Sequence, residues 1–129
     1  MADIKTNAIC EGESLSIHEI VENDNSKFQK YLAGLDQTAA TLVGYTLNFI
    51  AEHGTPGNIQ RFRHEGDGIY AIKILQYQIR ILCFFDGRKM LILTHGFNKK
   101  YQKGDRLKRE IAKAKKTKDR YMKQKGVAE

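Results

Sequence analysis

Little in this chain is built for cross-linking, metal capture or rigid turns: its 129 residues hold two cysteines, four histidines, one proline and no tryptophan. Cys10 and Cys83 lie far apart with no second cysteine beside either. That spacing excludes a disulfide scaffold and a zinc knuckle and leaves two reduced, structural thiols. His18, His53 and His64 have no ligand spacing with one another or with the cysteines, so no metal and no cofactor is expected. No apolar run approaches the roughly 20 residues needed to cross a bilayer, and the chain starts without a basic flank leading into an apolar core. The expectation is a soluble, unexported, cytoplasmic protein with no membrane partner.

What the chain has in excess is positive charge, and it has it at one end. The net charge is +7, with thirteen Lys or Arg against three Asp or Glu from Lys99 to Lys125, but three against eight from Met1 to Asn58. Clustered cations concentrate anions and release condensed counterions on binding, which suits a polyanion or an acidic protein partner.

The length fits one domain over residues 1–129, with one sheet buried against two or three helices. Residues 1–13 have no period and read as a flexible lead-in. Leu15, Ile17 and Glu19 then alternate with polar residues as a strand does. Asn23-Asp24-Asn25-Ser26 offers N-cap chemistry for a short helix with Phe28, Tyr31, Leu32 and Leu35 at helical spacing. A longer helix is predicted from about Thr38 to His53, with Leu42, Val43, Thr46, Phe49 and Ile50 on one face and Gly54 and Pro56 as its stop. Together they make a helical hairpin.

Asn58 to Arg63 reads as a strand, and Gly66-Asp67-Gly68 turns it into an antiparallel meander of Ile69 to Leu75, Ile79 to Phe85 and Met90 to Thr94. A third, basic helix is predicted over residues 105–125. Its apolar stripe of Leu107, Ile111, Ala114 and Tyr121 or Met122 is thin, and part of it is expected to lack a docking site within the chain. The order strand, two helices, four strands, helix is an α+β pattern.

Within the meander, Arg80 is the odd residue. A guanidinium in an apolar strand must reach solvent, a carboxylate such as Asp86 or Glu65, or an anionic ligand, and a phosphate suits it well. Lys73 can join it from the neighbouring strand or be an ordinary edge lysine. His95 ends a strand beside a glycine, where it either exchanges protons or bonds to backbone. Lys99 and Lys100 can bind phosphate or trade a proton, Tyr101 can stack on a base, and Phe97 reads as core. The tail with Lys103, Lys113, Lys115 and Lys116 has three readings: a solvated helix, a footprint on RNA, or a dock for an acidic helix. Its density favours RNA.

Four segments taken together carry a resemblance: Gly68-Ile69-Tyr70, Ile79-Arg80-Ile81-Leu82, Phe84-Phe85-Asp86-Gly87, and Leu91 through Lys100 with its His95-Gly96-Phe97 and paired lysines. In this order and spacing the chain, from about Lys27 to Tyr121, resembles the RelE/ParE toxin superfamily, and within it the phage-derived, HigB-like branch of type II toxin-antitoxin systems. It departs from that pattern where Ala71-Ile72-Lys73 stands in place of Glu-Leu-Arg, which exchanges a bidentate fork for a point charge. The resemblance implies a RelE-like fold, a small antiparallel sheet with an N-terminal helical hairpin and a C-terminal helix. It also implies a metal-independent endoribonuclease that cuts mRNA, usually on the ribosome, and is restrained by a cognate antitoxin protein from an adjacent gene.

On that basis Arg80 stabilises the phosphorane, His95 with Lys99 or Lys100 exchanges protons, and Lys73 supports the phosphate. Two other functions stand beside this one: a non-catalytic, ParE-like gyrase inhibitor, and an inactive phage-derived protein that binds RNA without cutting it.

Overall fold

The computed structural model describes residues 3–99 and 104–126. The chain runs through β1 (Ile4–Glu11), β2 (Ser16–Glu22), α1 (Lys27–Ala33), α2 (Gln37–His53), β3 (Phe62–Gly66), β4 (Ile69–Ile74), β5 (Ile79–Asp86), β6 (Met90–Asn98) and α3 (Gly104–Lys125), with one 3₁₀ turn between β4 and β5. This is a mixed α+β arrangement of one six-stranded sheet and three helices, in strand order β1-β2-β6-β5-β4-β3.

β3 to β6 form the expected antiparallel meander. Two expectations fail at the other edge. The supposed lead-in is strand β1, antiparallel to β2, so two strands precede the helices. The sheet is also mixed, because β2 lies parallel to β6 in the register Ile17 to Leu91. Parallel pairing needs a long crossover, and the whole segment from α1 to β5 supplies it. β3 begins four residues later than predicted, since Asn58 folds residues 58–61 into a turn in which its Oδ1 accepts from the Gln60 N–H and its carbonyl from the Arg61 and Phe62 N–H groups.

Period-two alternation sends side chains to two apolar layers. On one face Ile17, Ile72, Ile81, Cys83, Leu91 and Leu93 meet Phe28 of α1 and Val43, Leu47 and Ile50 of α2. On the other, Ile20, Ile69, Ala71, Leu82, Phe84 and Ile92 meet Ala114 of α3, with Leu107, Ile111, Tyr121 and Met122 packed around it. The buried stripe of α2 runs through Leu47, while Phe49, expected on it, is half exposed and stacks against His53.

α3 is docked along its length, against expectation, because polar anchors complete its thin stripe. Arg120 holds Glu22 with two bonds of 2.9 and 3.0 Å, and the Tyr121 hydroxyl donates to Asp86 at 2.7 Å. The Lys118 ammonium donates to the Asp67 carbonyl, and Lys125 pairs with Asp86.

β6 carries one residue more than its partner: Cys83 pairs with Leu93 but Leu82 with His95, which leaves Thr94 as a bulge. One extra residue exchanges the faces of everything after it. His95 and Phe97 therefore turn to the α3 side, and Gly96 turns to α1, where the Tyr31 ring lies on it. A Cβ at Gly96 would stand 2.4 Å from that ring. The Tyr31 hydroxyl also donates to Asn98 at 2.7 Å, so this contact ties α1 to the end of β6. Gly96→Ala should lower unfolding stability by about 1–3 kcal/mol through forced displacement of Tyr31. Urea denaturation checks this, and a companion Tyr31→Ala should remove most of the added penalty of the alanine.

Candidate active site

Antiparallel register brings the predicted cations together. Lys73 in β4 stands directly opposite Arg80 in β5, and Arg80 stands opposite Phe97 in β6. All three fall on the α3 side: Phe97 belongs to that layer itself, as do Ala71 and Leu82, two residues along from Lys73 and Arg80. Lys99 extends the same corner: its N–H donates to the Gln78 carbonyl at 2.8 Å, one step beyond the end of β6. Gln78 is left-handed at φ 56° and closes the 3₁₀ turn that aims β5.

Arg80 is 5 % exposed, and its Nη1 donates to the Ile79 carbonyl at 3.1 Å. Among the described residues no carboxylate lies within salt-bridge distance of its guanidinium, so the alternative of a locked pair with Asp86 or Glu65 is not what the structure contains. Asp86 is instead spent on Tyr121 and Lys125 of α3. Burial lowers the Arg80 pKa, with the charge of Glu65 opposing it. Lys73 is lowered too, first by burial and then by Arg80, Arg63 and Lys99, again against Glu65. Four cations of β3, β4, β5 and the end of β6 thus share one field with one carboxylate.

Two members of this group, Arg63 and Glu65, were not foreseen as site residues. Arg63 pairs with Ala71 on the α3 side, and Glu65 is the extra residue of a second bulge, between His64 and Gly66. A period-two count from Phe62 would have found Arg63; the bulge hides Glu65.

His95 stands near the end of β6 beside Gly96, as expected, and on the α3 side of the sheet. Its Nε2 lies 2.9 Å from Glu110 of α3, and its Nδ1 lies 3.2 Å from the oxygen of the Thr94 hydroxyl, which donates to the Leu82 carbonyl. With Glu110 it forms a buried clamp between β6 and α3. Glu110 is 4 % exposed and also receives Arg106 at 2.7 Å and Lys113 at 3.5 Å. The Arg106 guanidinium in turn sits 6.0 Å above the Phe97 ring, which is buried as expected. Glu110 lies between Leu107 and Ala114 on the buried stripe of α3, a placement that marks a carboxylate in need of a partner.

Of the tail residues, Lys113 and Lys116 are exposed, and Lys115 is paired with Asp119 at 2.9 Å. Lys100, Tyr101 and Lys103 lie outside the described residues.

The clamp and the Asp86 anchor make the seating of α3 sensitive to acid. Burial lowers the His95 pKa against the pull of Glu110. For Glu110 and Asp86 burial acts upward, but the hydrogen bonds and charges of their partners outweigh it and hold both carboxyls low. At all three sites the folded chain binds protons less readily than the unfolded one, so each contribution is present at neutral pH and lost as pH falls. The loss begins below 6.5 for His95, then below 4.5 for Glu110 and 3.8 for Asp86. The melting temperature should therefore fall from pH 7 to pH 4, with α3 amides losing hydrogen-exchange protection first. A flat profile would contradict this assignment.

No curated protein matches the chain. A family model does match over residues 30–119, a span that contains α2, β3 to β6, most of α3 and every residue of the clamp and the cationic corner. The chain belongs to the family described as phage derived protein Gp49-like (DUF891).

Proposed function

We propose that this protein is the toxin of a type II toxin-antitoxin system and acts as a metal-independent, ribosome-associated endoribonuclease of RelE-like fold. The observation that carries the reading is the convergence of Lys73, Arg80 and Lys99, with Arg63, on one corner of the sheet. Like charges so placed repel one another, and among the described residues one carboxylate, Glu65, shares their field. A phosphodiester dianion at the transition state would reverse that cost. Arg80 is positioned to neutralise it, since a guanidinium keeps its charge even when buried. Membership of a phage-derived family and the RelE-like segments support the same reading.

The outer face of α3 supplies the second part. Lys108, Arg109, Lys113 and Lys116 are exposed along it, and such a stripe follows a phosphate backbone by counterion release. Messenger RNA on the ribosome is the substrate in this reading, and a cognate antitoxin keeps the protein silent.

One observation favours a second reading. Because His95 is bound to Glu110 and Thr94, the protein could grip RNA without cutting it. Brief induction of wild type and Arg80→Ala, followed by mapping of new 5′ ends in messenger RNA, separates the two. Fresh ends with wild type, reduced about 100-fold in the variant, are expected from loss of transition-state charge stabilisation. Binding without new ends would establish the second reading.

Replacing Lys108, Arg109 and Lys116 together by alanine should weaken RNA binding and lower the slope of log affinity against log salt by about two, while melting stays near wild type. Filter binding across a salt series measures it. An unchanged slope would assign these cations to solvent.

A further inference from the structure

The parallel partners β2 and β6 are paired only from Ser16 opposite Met90 to Glu19 opposite Leu93. β2 runs on to Glu22 and β6 to Asn98, so the two strands part beyond that point, just where Thr94 bulges. The gap is a cleft of about 120 Å³, lined by side chains of β2, β6, α3 and the start of α1. At ~30 Å³ for each water it has room for about four, the space of one phosphate group and the edge of what carries it. Open sheets commonly place ligands in such a crevice, outside the carboxyl ends of parallel strands.

The cleft has two chemical sides. Lys27 and Lys30, neighbours on one face of α1, line it, and among the described residues neither ammonium has a carboxylate within 4 Å. The nearby carboxylates are already engaged: Arg120 holds Glu22 with bonds of 2.9 and 3.0 Å, and Glu19 accepts from Asn7 at 3.0 Å and from Ser26 at 2.7 Å. The other side is made of oxygens that accept. The Thr94 and Thr117 hydroxyls each give their proton to a carbonyl, of Leu82 and of Lys113, at 3.1 Å. Asn25 donates from Nδ2 to the Asn23 carbonyl at 3.0 Å, which leaves its Oδ1 to accept. A tight turn fixes Asn25 in place: Asn23 and Asp24 are both left-handed, at φ 51° and 65°, and Glu22 and Asn25 exchange backbone bonds of 2.8 and 2.9 Å across them.

A ligand for this cleft carries negative charge for the two ammoniums and, beside it, a hydroxyl that donates to the oxygens of Asn25 and Thr94. A ribose phosphate offers both, since its 2′-hydroxyl adjoins its 3′-phosphate. We propose that the cleft between the ends of β2 and β6 binds a ribonucleotide, its 3′-phosphate held by Lys27 and Lys30 and its 2′-hydroxyl received by Asn25 and Thr94. The ammoniums supply most of the affinity, and the acceptors distinguish ribose from deoxyribose. The cleft is separate from Lys73 and Arg80, which belong to β4 and β5 on the other side of β6. Cutting at Arg80 and binding in the cleft do not require each other, so each stands or falls by itself.

Amide spectra of the full, isotope-labelled chain read the cleft residue by residue. Adenosine 3′-phosphate should move the amides of Asn25, Thr94 and Thr117, and Lys27→Ala combined with Lys30→Ala should weaken its binding about tenfold at unchanged melting temperature. The 2′-deoxy counterpart should bind the wild type about fivefold more weakly. A short oligoribonucleotide without terminal phosphates identifies the source. It moves the same amides if the cleft receives an RNA strand and leaves them still if only a free nucleotide enters, and either result upholds the ribose-phosphate site. Movement confined to the strands around Lys73 and Arg80, no movement with any of these probes, or undiminished affinity in the double variant would overturn it. Equal binding of the deoxy compound would remove the part given to the 2′-hydroxyl.

Discussion

The arrangement of this protein depends on one surplus residue in β6. With Thr94 unpaired, His95 and Phe97 turn to the α3 layer and Gly96 to the α1 layer; without it all three would be exchanged. Phe97 would then meet Tyr31, and Tyr31 has room only for a glycine. His95 would lose Glu110, a carboxylate buried on the stripe of α3. Arg80 would face a glycine across the ladder instead of a buried aromatic ring. The Thr94 hydroxyl fixes the bulge by donating to the carbonyl of Leu82, the residue at which the register shifts. A local irregularity in one strand therefore decides how both helical layers meet the sheet.

The same kind of irregularity sets what could be read from the residues alone. β4 and β5 keep strict alternation and were legible to within a residue or so, as were α1 from the cap chemistry ending at Ser26 and α2 from its apolar face and the stop at Gly54. β1 was not, because its extra residue at Ile9 breaks the period in an edge strand whose outer face is exposed. The parallel pairing of β2 with β6 is a relation between segments roughly seventy residues apart, which no local pattern encodes. Arg80 was legible as a charge out of place in an apolar strand, Lys73 as a cation able to join it from the next strand, and Lys99 as a cation directly after the sheet. Glu65 was legible only as a partner for Arg80, its place at a bulge being hidden, and the Glu110 partner of His95 was not legible at all, since it depends on where α3 docks.

α3 shows how a helix with little apolar surface can still be seated. Exposed ion pairs such as Lys115 with Asp119 contribute little, because water screens them and side-chain order opposes them. A buried carboxylate is different: leaving Glu110 without partners would cost far more than any surface pair returns. His95, Arg106 and Lys113 converge on it, and that convergence selects one rotation and one axial position for the helix. Asp86 does the same for the other end through Tyr121 and Lys125. The apolar stripe determines that the helix docks, and the two carboxylates determine where.

That division of labour separates the chemistry of the two carboxylate environments on the α3 face. Glu110 and Asp86 are saturated by partners, and protonating them loosens the helix. Glu65 forms no ion pair with the described cations, and its charge opposes the lowering of the Lys73 and Arg80 pKa values. Assembling Arg63, Lys73, Arg80 and Lys99 with a single counter-charge stabilises no fold by itself, since each added cation raises the cost of the next. Their register across four adjacent strands is what an anion needs if it is to meet all of them at once. The uneven charge of the sheet corner and the saturated charge of the helix clamp thus mark where this molecule holds itself together and where it is poised to hold something else.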